Sequence, residues 1–286
     1  MRMKPLYPLA LAVSIFALSA AAQTPPPADI QEHDHAGARE TAGLIQKKVH
    51  NPEISIMHGK MISFPSTMAG DAMGYLSLPD TKLPGKRPAI IVIQEWWGLN
   101  DWVRQQADRF AQQGYVALAV DLYRGKSTSD PNVAHELMRG MPEDRAVADL
   151  KAAFANLAAR ADVDTAHIGA IGWCMGGGYS LALATAEPRL RSAVINYGRL
   201  VTDPATIKAI HPDLLGNFGA LDQGIPVADV KTFDAALHAA GKKSDMKVYE
   251  GAGHGFMNPN NTAAYVKTAT DDAWKRIDAF FTSTLR

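Results

Sequence analysis

The chain has 286 residues, of which 47% are hydrophobic and 20% are charged, a composition typical of a soluble globular protein with a substantial core. Its 29 Lys and Arg residues balance 29 Asp and Glu residues, so the formal net charge is zero. The sequence has no basic stripe, and without one the electrostatic attraction on which nucleic-acid binding relies has no source. We therefore expect no nucleic-acid partner.

The first 22 residues have the layout of a secretory signal peptide. Two basic residues, at positions 2 and 4, precede an apolar stretch from Leu6 to Leu18, and Ala20 and Ala22 form a small-residue cleavage pattern. A retained membrane anchor is the alternative, but the stretch is about 13 residues long and a bilayer span needs roughly 20. We expect cleavage after Ala22, no stable membrane insertion of the mature chain, and a periplasmic or secreted location.

Residues 23–53 are rich in Pro, Ala and charge and have no helical or strand period, which predicts a flexible leader. From residue 54 to residue 286, strand patterns alternate with helix patterns. The predicted strands are 75–79, 89–95, 115–123, 167–173, 192–198, 213–220 and 246–251, and the predicted helices are 100–114, 143–160, 175–186, 227–240 and 263–285. This alternation predicts one α/β domain with a mostly parallel central sheet and helices on both faces.

Cys174 is the only cysteine, and it lies in "IGWCMGGGYS" between a predicted strand and a predicted helix. The pattern G-x-C-x-G has the form of the nucleophile elbow G-x-S-x-G, in which flanking glycines let a strand and a helix approach closely. A helix that begins beside the sulfur favours the thiolate form. We predict that Cys174 is an exposed nucleophile, with a buried packing cysteine as the alternative.

A nucleophile needs a base and a group that orients the base, and in this arrangement the chain order is nucleophile, acid, histidine. His254 lies in a glycine-rich loop after the last predicted strand, whereas His211 precedes a strand and His238 lies inside a helix. Asp222 directly follows a predicted strand. Cys174, Asp222 and His254 are therefore the predicted catalytic residues.

The tetrahedral intermediate of acyl transfer also needs N–H donors for its oxyanion. Met175 follows the nucleophile, and Trp96 lies in the loop after the predicted strand 89–95, so their backbone N–H groups are the candidates. Glu95 lies in the same loop, where its carboxylate would repel a thiolate; a solvated loop acid is one interpretation. No cofactor and no metal are expected.

Several motifs together resemble the dienelactone hydrolase family of the α/β-hydrolase fold. The resemblance covers residues 58–286 and depends on "QEWWGLN", "ALAVDLYRG", "IGWCMGGGYS", "GALDQGIP", "YEGAGHGFMN" and "AWKRIDAFF". It implies that Cys174 is the nucleophile, His254 the base and Asp222 its orienting acid. It also implies that Glu95 is a fourth catalytic residue, which holds the resting thiol neutral and, when substrate binds, shifts and takes the thiol proton. A thiol kept neutral until then would be protected from oxidation.

The sequence departs from the family pattern where a substrate carboxylate would bind. The family places an arginine four residues after the catalytic histidine, and here that position is Asn258. A second family arginine follows the "DLY" strand end, and Arg124, next to Tyr123, is offset from it by about one residue. We expect Tyr123, Arg124 and Asn258 to be substrate-binding positions, with one of the two family cations missing.

Three tryptophans flank the predicted site in sequence. Trp96, Trp97 and Trp173 are predicted to form an apolar pocket for the acyl group, and core packing is the alternative. We count Trp97 and Trp173 among the substrate-binding candidates.

The sequence thus predicts an exported, cysteine-dependent hydrolase of a lactone or small carboxylic ester, of the carboxymethylenebutenolidase type, acting through an acyl-thiol intermediate. Its expected partner is a small-molecule substrate, and we expect a monomer. One alternative is a general carboxylesterase or thioesterase, which Asn258 favours. Another is a non-catalytic binding or thiol-sensing protein on the same scaffold.

Overall fold

One sheet of eight strands organises the residues that the computed structural model describes, which are 58–68, 70–79 and 85–286. The predicted signal peptide and leader lie outside the described residues and stay predictions. The strands are β1 (Lys60–Phe64), β2 (Ala72–Ser77), β3 (Arg87–Ile93), β4 (Val116–Val120), β5 (Val163–Trp173), β6 (Ser192–Asn196), β7 (Asp213–Gly219) and β8 (Ser244–Tyr249). Their order across the sheet is β1-β2-β4-β3-β5-β6-β7-β8. Among these strands, β2 runs antiparallel to both of its neighbours, β1 and β4, and all other neighbouring pairs are parallel.

Helices cover both faces of the sheet. They are α1 (Asp101–Gln112), α2 (Pro131–Arg139), α3 (Glu143–Ala158), α4 (Met175–Ala186), α5 (Pro204–Ala209), α6 (Val227–Ala239) and α7 (Lys267–Leu285). Helices α3 to α6 pack into the hydrophobic core on one face, and α1 and α7 pack into the core on the other. The predicted α/β domain with a mostly parallel sheet and helices on both faces is confirmed. None of the described helices is both long enough and apolar enough to cross a membrane.

The central strands are buried on both sides, which explains their continuous apolar sequence. Side chains of β3 alternate between the two cores: Ile91 and Ile93 belong to one, and Ile90 and Val92 to the other. All four are fully buried. Since successive side chains of a strand point to opposite faces, a strand with a core on each side must be apolar at every position.

The structure differs from the predicted elements mainly at the edge of the sheet and in the connections. The predicted first strand, 75–79, overlaps β2, which lies one place inside the edge of the sheet because the unpredicted β1 pairs with it. Helices α2 and α5 were also not predicted. Both begin with an aspartate that caps the helix and a proline in the first turn, Asp130-Pro131 and Asp203-Pro204, which is a start signal that the sequence carries.

Candidate active site

Cys174 occupies a sharp turn between β5 and α4. Its backbone has φ 55° and ψ −119°, a conformation that costs energy for a residue with a side chain. The turn requires glycine on both sides. A Cβ at Gly172 would lie 2.0 Å from the carbonyl oxygen of Gly176, and a Cβ at Gly176 would lie 2.4 Å from two carbonyl oxygens at the end of β3. The elbow is therefore fixed by backbone packing, and it places the thiol at the carboxyl edge of the sheet.

Buried asparagines on β6 and β7 hold the elbow in place. Cys174 N donates to the Asn196 carbonyl oxygen at 3.0 Å, and Asn196 Nδ2 donates to the Gly172 carbonyl oxygen at 3.1 Å. Asn217 Nδ2 donates in turn to Asn196 Oδ1 at 2.8 Å. Both asparagines are fully buried, so these hydrogen bonds are formed away from water and specify one arrangement of the turn.

The three predicted catalytic residues meet in one hydrogen-bonded chain. His254 Nε2 lies 3.0 Å from Cys174 Sγ, and His254 Nδ1 lies 2.8 Å from Asp222 Oδ2. Asp222 is 4% exposed, and its Oδ1 accepts the N–H groups of Gly224 at 2.8 Å and Ile225 at 3.1 Å. The turn after β7 and the loop after β8 thus bring acid and histidine to the elbow. This is the geometry of a nucleophile, its base and an orienting acid.

The charges of Asp222 and His254 stabilise each other. Burial raises the pKa of Asp222, but its hydrogen bond to His254 and the charge of that histidine outweigh burial and hold the pKa below its usual range. Burial lowers the pKa of His254, but its hydrogen bonds to Asp222 and to Cys174 outweigh that effect and raise the pKa to about 10. An imidazolium at His254 favours a thiolate at Cys174, which is the nucleophilic form of the sulfur.

Glu95 lies in the wall of the same site and is not a solvated loop acid. It is 4% exposed, and its Oε2 accepts a hydrogen bond from Asn258 Nδ2 at 2.6 Å. Burial raises the pKa of Glu95 to about 7, although the hydrogen bond from Asn258 and the charge of His254 lower it part of the way. The carboxyl group of Glu95 is therefore uncharged in a large fraction of the protein molecules near pH 7.

A cavity of about 560 Å³ opens in front of the thiol. Seven predicted residues line it: Cys174, His254, Glu95, Trp96, Trp97, Met175 and Asn258. Sequence reasoning missed eight others: Met138, Glu143, Gly178, Tyr179, Ala182, Arg199, Gly255 and Asn261. Its volume suits a small organic substrate. Within the described residues, no group of three or more His, Cys, Asp or Glu side chains is placed to hold a metal ion.

Signals for some of the missed residues exist in the sequence. Met175, Gly178, Tyr179 and Ala182 are spaced i, i+3, i+4 and i+7, which is one face of α4. Arg199 follows β6 by three residues, and the carboxyl ends of strands are where ligands gather in such sheets.

The two candidate oxyanion donors are backbone N–H groups of residues in the cavity wall. Trp96 and Met175 both line the cavity. Among the described residues, neither of their N–H groups donates a backbone hydrogen bond. Both are therefore available to an oxyanion that forms next to Cys174.

The prediction that Trp173 lines the pocket is wrong. Its side chain is fully buried on the face of the sheet opposite α4, with ring centroids 5.1 Å from Trp102 and 5.9 Å from Trp274. Trp173 is the last residue of β5, and the side chains of a strand alternate between faces. The side chain therefore packs in the core, and only its backbone borders the elbow.

Arg124 and Tyr123 are also absent from the cavity wall. Arg124 donates to both carboxylate oxygens of Asp149, at 2.9 and 3.2 Å, and to the Met68 carbonyl oxygen at 3.1 Å. Tyr123 is buried behind Met175, and its hydroxyl lies 3.3 Å from the Met175 sulfur. The two are structural residues here because their polar groups are engaged within the fold, and the substrate-binding prediction for them is not supported by their positions.

Both the sequence and the fold are similar to those of known proteins. The model of the dienelactone hydrolase family matches residues 73–285. A "Putative carboxymethylenebutenolidase" of Methylorubrum extorquens is 31% identical over 249 residues, which cover 77% of this chain and 85% of that protein. The crystal structure of a "Putative Dienelactone Hydrolase" from Klebsiella pneumoniae is 30% identical and matches with a TM-score of 0.69, over 78% of this chain and 99% of that one.

A second solved structure is a dienelactone hydrolase-like promiscuous phosphotriesterase from metagenomic libraries. It is 26% identical, with a TM-score of 0.72 over 80% of this chain and 100% of that one. The match of the family model spans most of the chain, and it includes the elbow, the acid and the histidine. The chain therefore belongs to the dienelactone hydrolase family, has the α/β-hydrolase fold and is a hydrolase.

Proposed function

We propose that the protein hydrolyses a lactone or small carboxylic ester through an acyl-thiol intermediate on Cys174. The observation that carries this proposal is the continuous chain from Asp222 through His254 to Cys174, with contacts of 2.8 and 3.0 Å, at the wall of an open cavity. Of the chemistries that a thiolate and an imidazolium can perform, acyl transfer uses the nucleophile, its base and the orienting acid together.

In the first half of the reaction, Cys174 Sγ attacks the carbonyl carbon of the substrate. The C–S bond forms as the π electron pair moves to the carbonyl oxygen, which the N–H groups of Trp96 and Met175 would hold. Collapse of this intermediate breaks the C–O bond, and His254 Nε2–H gives its proton to the leaving oxygen. The product of this half is a thioester on Cys174 and an alcohol, which remains attached to the acyl group when the substrate is a lactone.

In the second half, water hydrolyses the thioester. His254, now neutral, takes a proton from a water molecule as its oxygen attacks the thioester carbonyl. The second tetrahedral intermediate expels Cys174 as a thiolate and releases a carboxylic acid. His254 keeps the proton, so the thiolate and imidazolium pair is restored and no cofactor is consumed.

The surroundings of Glu95 bear on the resting state of the thiol. The family resemblance implies that this glutamate holds the thiol neutral. Here its Oε2 is bound by Asn258 at 2.6 Å and its pKa is about 7, so below that pH it is mostly uncharged and does not repel a thiolate. We therefore propose that Glu95 leaves His254, whose Nε2 lies 3.0 Å from Sγ, to act as the ionic partner of the attacking thiolate.

Steady-state hydrolysis by the purified protein and its Cys174→Ala variant tests the proposal. A dienelactone with its carboxylate is compared with an uncharged aryl butyrate. We expect the variant to lose at least about 1000-fold in kcat/KM on any ester that the wild type turns over, because it lacks the nucleophile. Equal rates for the two proteins would refute the mechanism and favour a binding or thiol-sensing role.

The general carboxylesterase or thioesterase stays the second candidate. Asn258 replaces one family arginine, and Arg124 is bound to Asp149 at 2.9 Å. Neither position therefore supplies a cation that could bind the carboxylate of the dienelactone. Faster turnover of the uncharged butyrate than of the dienelactone would favour this candidate.

A further inference from the structure

The cavity extends away from the nucleophile along α4. Four residues of one helix face line it, at i, i+3, i+4 and i+7: Met175, Gly178, Tyr179 and Ala182. An α-helix rises 1.5 Å per residue, so this wall is about 10 Å long. Trp96, Trp97 and Met138 supply further apolar surface to the cavity. A substrate that fills it therefore needs an apolar part that leads away from the scissile carbonyl.

The loop that carries Arg199 meets this wall part of the way along it. Arg199 lines the cavity, and its backbone packs against α4, because a Cβ added at Gly178 would lie 3.4 Å from Arg199 N and Cβ. Gly178 is about 6 Å further along the helix axis than Cys174. The Arg199 guanidinium donates to Glu143 Oε1 at 3.1 Å, and Glu143 also lines the cavity.

A ligand can displace Glu143 from its ion pair with Arg199 at little cost in free energy. The side chains of Arg199 and Glu143 are 74% and 62% exposed. Ion pairs this exposed contribute little to stability, whereas an arginine binds a carboxylate with two parallel hydrogen bonds when the geometry allows. A ligand carboxylate that enters the cavity can therefore compete with Glu143 for the guanidinium.

Tyr179 adds a hydrogen-bond donor near the same place. Burial raises the pKa of Tyr179 to about 12, the charge of Glu143 raises it further, and the charge of Arg199 lowers it. Tyr179 lines the same cavity as both charged groups, and its raised pKa keeps its hydroxyl protonated near neutral pH.

The two positions at which the family has an arginine provide no cation to the cavity of this protein. Asn258 is uncharged, and Arg124 is bound to Asp149 away from the cavity. Of the residues that the structure describes on the cavity wall, Arg199 is the only lysine or arginine.

We propose that Arg199 anchors a substrate carboxylate that is remote from the scissile carbonyl. This inference rests on the proposed ester hydrolysis and specifies its substrate class. That class is an ester or lactone whose acyl part carries an apolar segment on the order of 6 Å long that ends in a carboxylate. The anchor comes from the loop after β6 and not from the loop of the catalytic histidine.

Two esters of equal length test the proposal: the p-nitrophenyl monoester of pimelic acid and p-nitrophenyl heptanoate. They share leaving group and chain length and differ in a terminal carboxylate or methyl group. The purified wild type is compared with Arg199→Gln, Arg199→Lys and the matched control Lys267→Gln. Lys267 is 73% exposed and pairs with Asp271 at 2.7 Å, as Arg199 pairs with Glu143, but it lies on α7 outside the cavity.

The readout is the ratio of kcat/KM for the charged ester to that for the neutral ester. We expect Arg199→Gln to lower this ratio by about 10-fold or more, mainly through KM, since a charge-assisted hydrogen bond is lost. Arg199→Lys keeps the charge without the planar fork and recovers part of the ratio. Lys267→Gln has the same net charge as Arg199→Gln and leaves the ratio as in the wild type.

Two failures are distinguishable. If Cys174-dependent turnover of both esters is seen but Arg199→Gln and Lys267→Gln give the same ratio, the carboxylate anchor is refuted and the hydrolase function stands. If the wild type hydrolyses neither these esters nor the aryl butyrate, the proposed function is refuted and the anchor with it.

Discussion

The two charged regions of the cavity are built differently. At the nucleophile, Asp222 is 4% exposed and holds His254 at 2.8 Å, which in turn contacts the thiol at 3.0 Å. Along the wall, Arg199 and Glu143 form one ion pair whose side chains are 74% and 62% exposed. The first region is ordered before any ligand arrives, whereas the second has groups that a ligand can recruit.

This difference matches what each region has to do. Bond making needs groups held within fractions of an ångström, because misplacing a reacting group by about 1 Å costs about 100-fold in rate. Recognition of a remote carboxylate does not need such precision. Arg199 can release Glu143 and bind the substrate carboxylate in its place, because one anion replaces another. Changes at the nucleophile should therefore affect kcat strongly, and changes at the wall should affect mainly KM.

After loss of the nucleophile itself, the largest effect on rate is expected from Asp222→Asn. The amide cannot stabilise the imidazolium and favours the wrong tautomer of His254, so we expect kcat to fall by about 1000-fold with little change in KM. The rate of Cys174 alkylation by iodoacetamide should fall as well, because the thiolate loses its counter-ion. Asp229→Asn is the control, since Asp229 is exposed in the first turn of α6. A similar kcat for the two variants would contradict the assigned role.

A second large effect is expected at the elbow. An alanine Cβ at position 172 would lie 2.0 Å from the Gly176 carbonyl oxygen, so strand and helix must separate. We expect Gly172→Ala to cost about 3 kcal/mol or more of unfolding free energy and about 100-fold in kcat. Gly253→Ala is the matched control, because nothing lies within 4 Å of a Cβ at that position. Denaturant unfolding and ester kinetics measure both quantities, and wild-type values for Gly172→Ala would show that the turn is not close-packed.

The elbow and the triad could be predicted from sequence because their signals are local. G-x-C-x-G fixes a turn within five residues, and chain order with strand ends selects Asp222 and His254. What the side chains of Trp173 and Arg124 do could not be predicted in this way. Trp173 packs on Trp274 from the last helix, and Arg124 is bound by Asp149, 25 residues further along the chain. Such partners are decided by tertiary packing, which no single stretch of the sequence encodes.

The main elements of the sheet were predictable for a related reason. Continuous apolar runs such as β3 result from burial on two faces, so the pattern and its cause lie in the same residues. β1 was missed because an edge strand is half exposed and carries polar residues, as Lys60 and Ser63 show. Arg199 was missed although it follows a strand end, because an exposed arginine has no distinguishing pattern in the sequence.

A smaller effect concerns Glu95 and depends on pH. Its pKa is raised from 4.5 to about 7 in the fold, so between these values the folded state binds more protons than the unfolded state. The free energy of unfolding therefore falls as pH rises from about 4.5 to about 7, by at most about 3 kcal/mol from this group. Glu95→Gln cannot ionise, so the stability difference between variant and wild type should grow in the variant's favour over this range. A difference independent of pH would show that the pKa of Glu95 is the same in the folded and unfolded states.

The smallest effects distinguish a core tryptophan from one on the cavity wall. Trp173 is fully buried, and its Nε1 has no hydrogen-bond partner in the described part of the chain. Trp173→Phe loses packing but also removes an unsatisfied N–H group, so we expect a loss of about 1–2 kcal/mol in stability and less than about twofold in kcat/KM.

Trp97→Phe changes the cavity wall, so it should raise KM by about threefold and alter stability by less than about 1 kcal/mol. Thermal unfolding and kinetics on one neutral ester compare the two. If Trp173→Phe changed KM more than Trp97→Phe, the acyl group would have to reach the core face of the sheet, and the assignment of the cavity to the α4 side would fail.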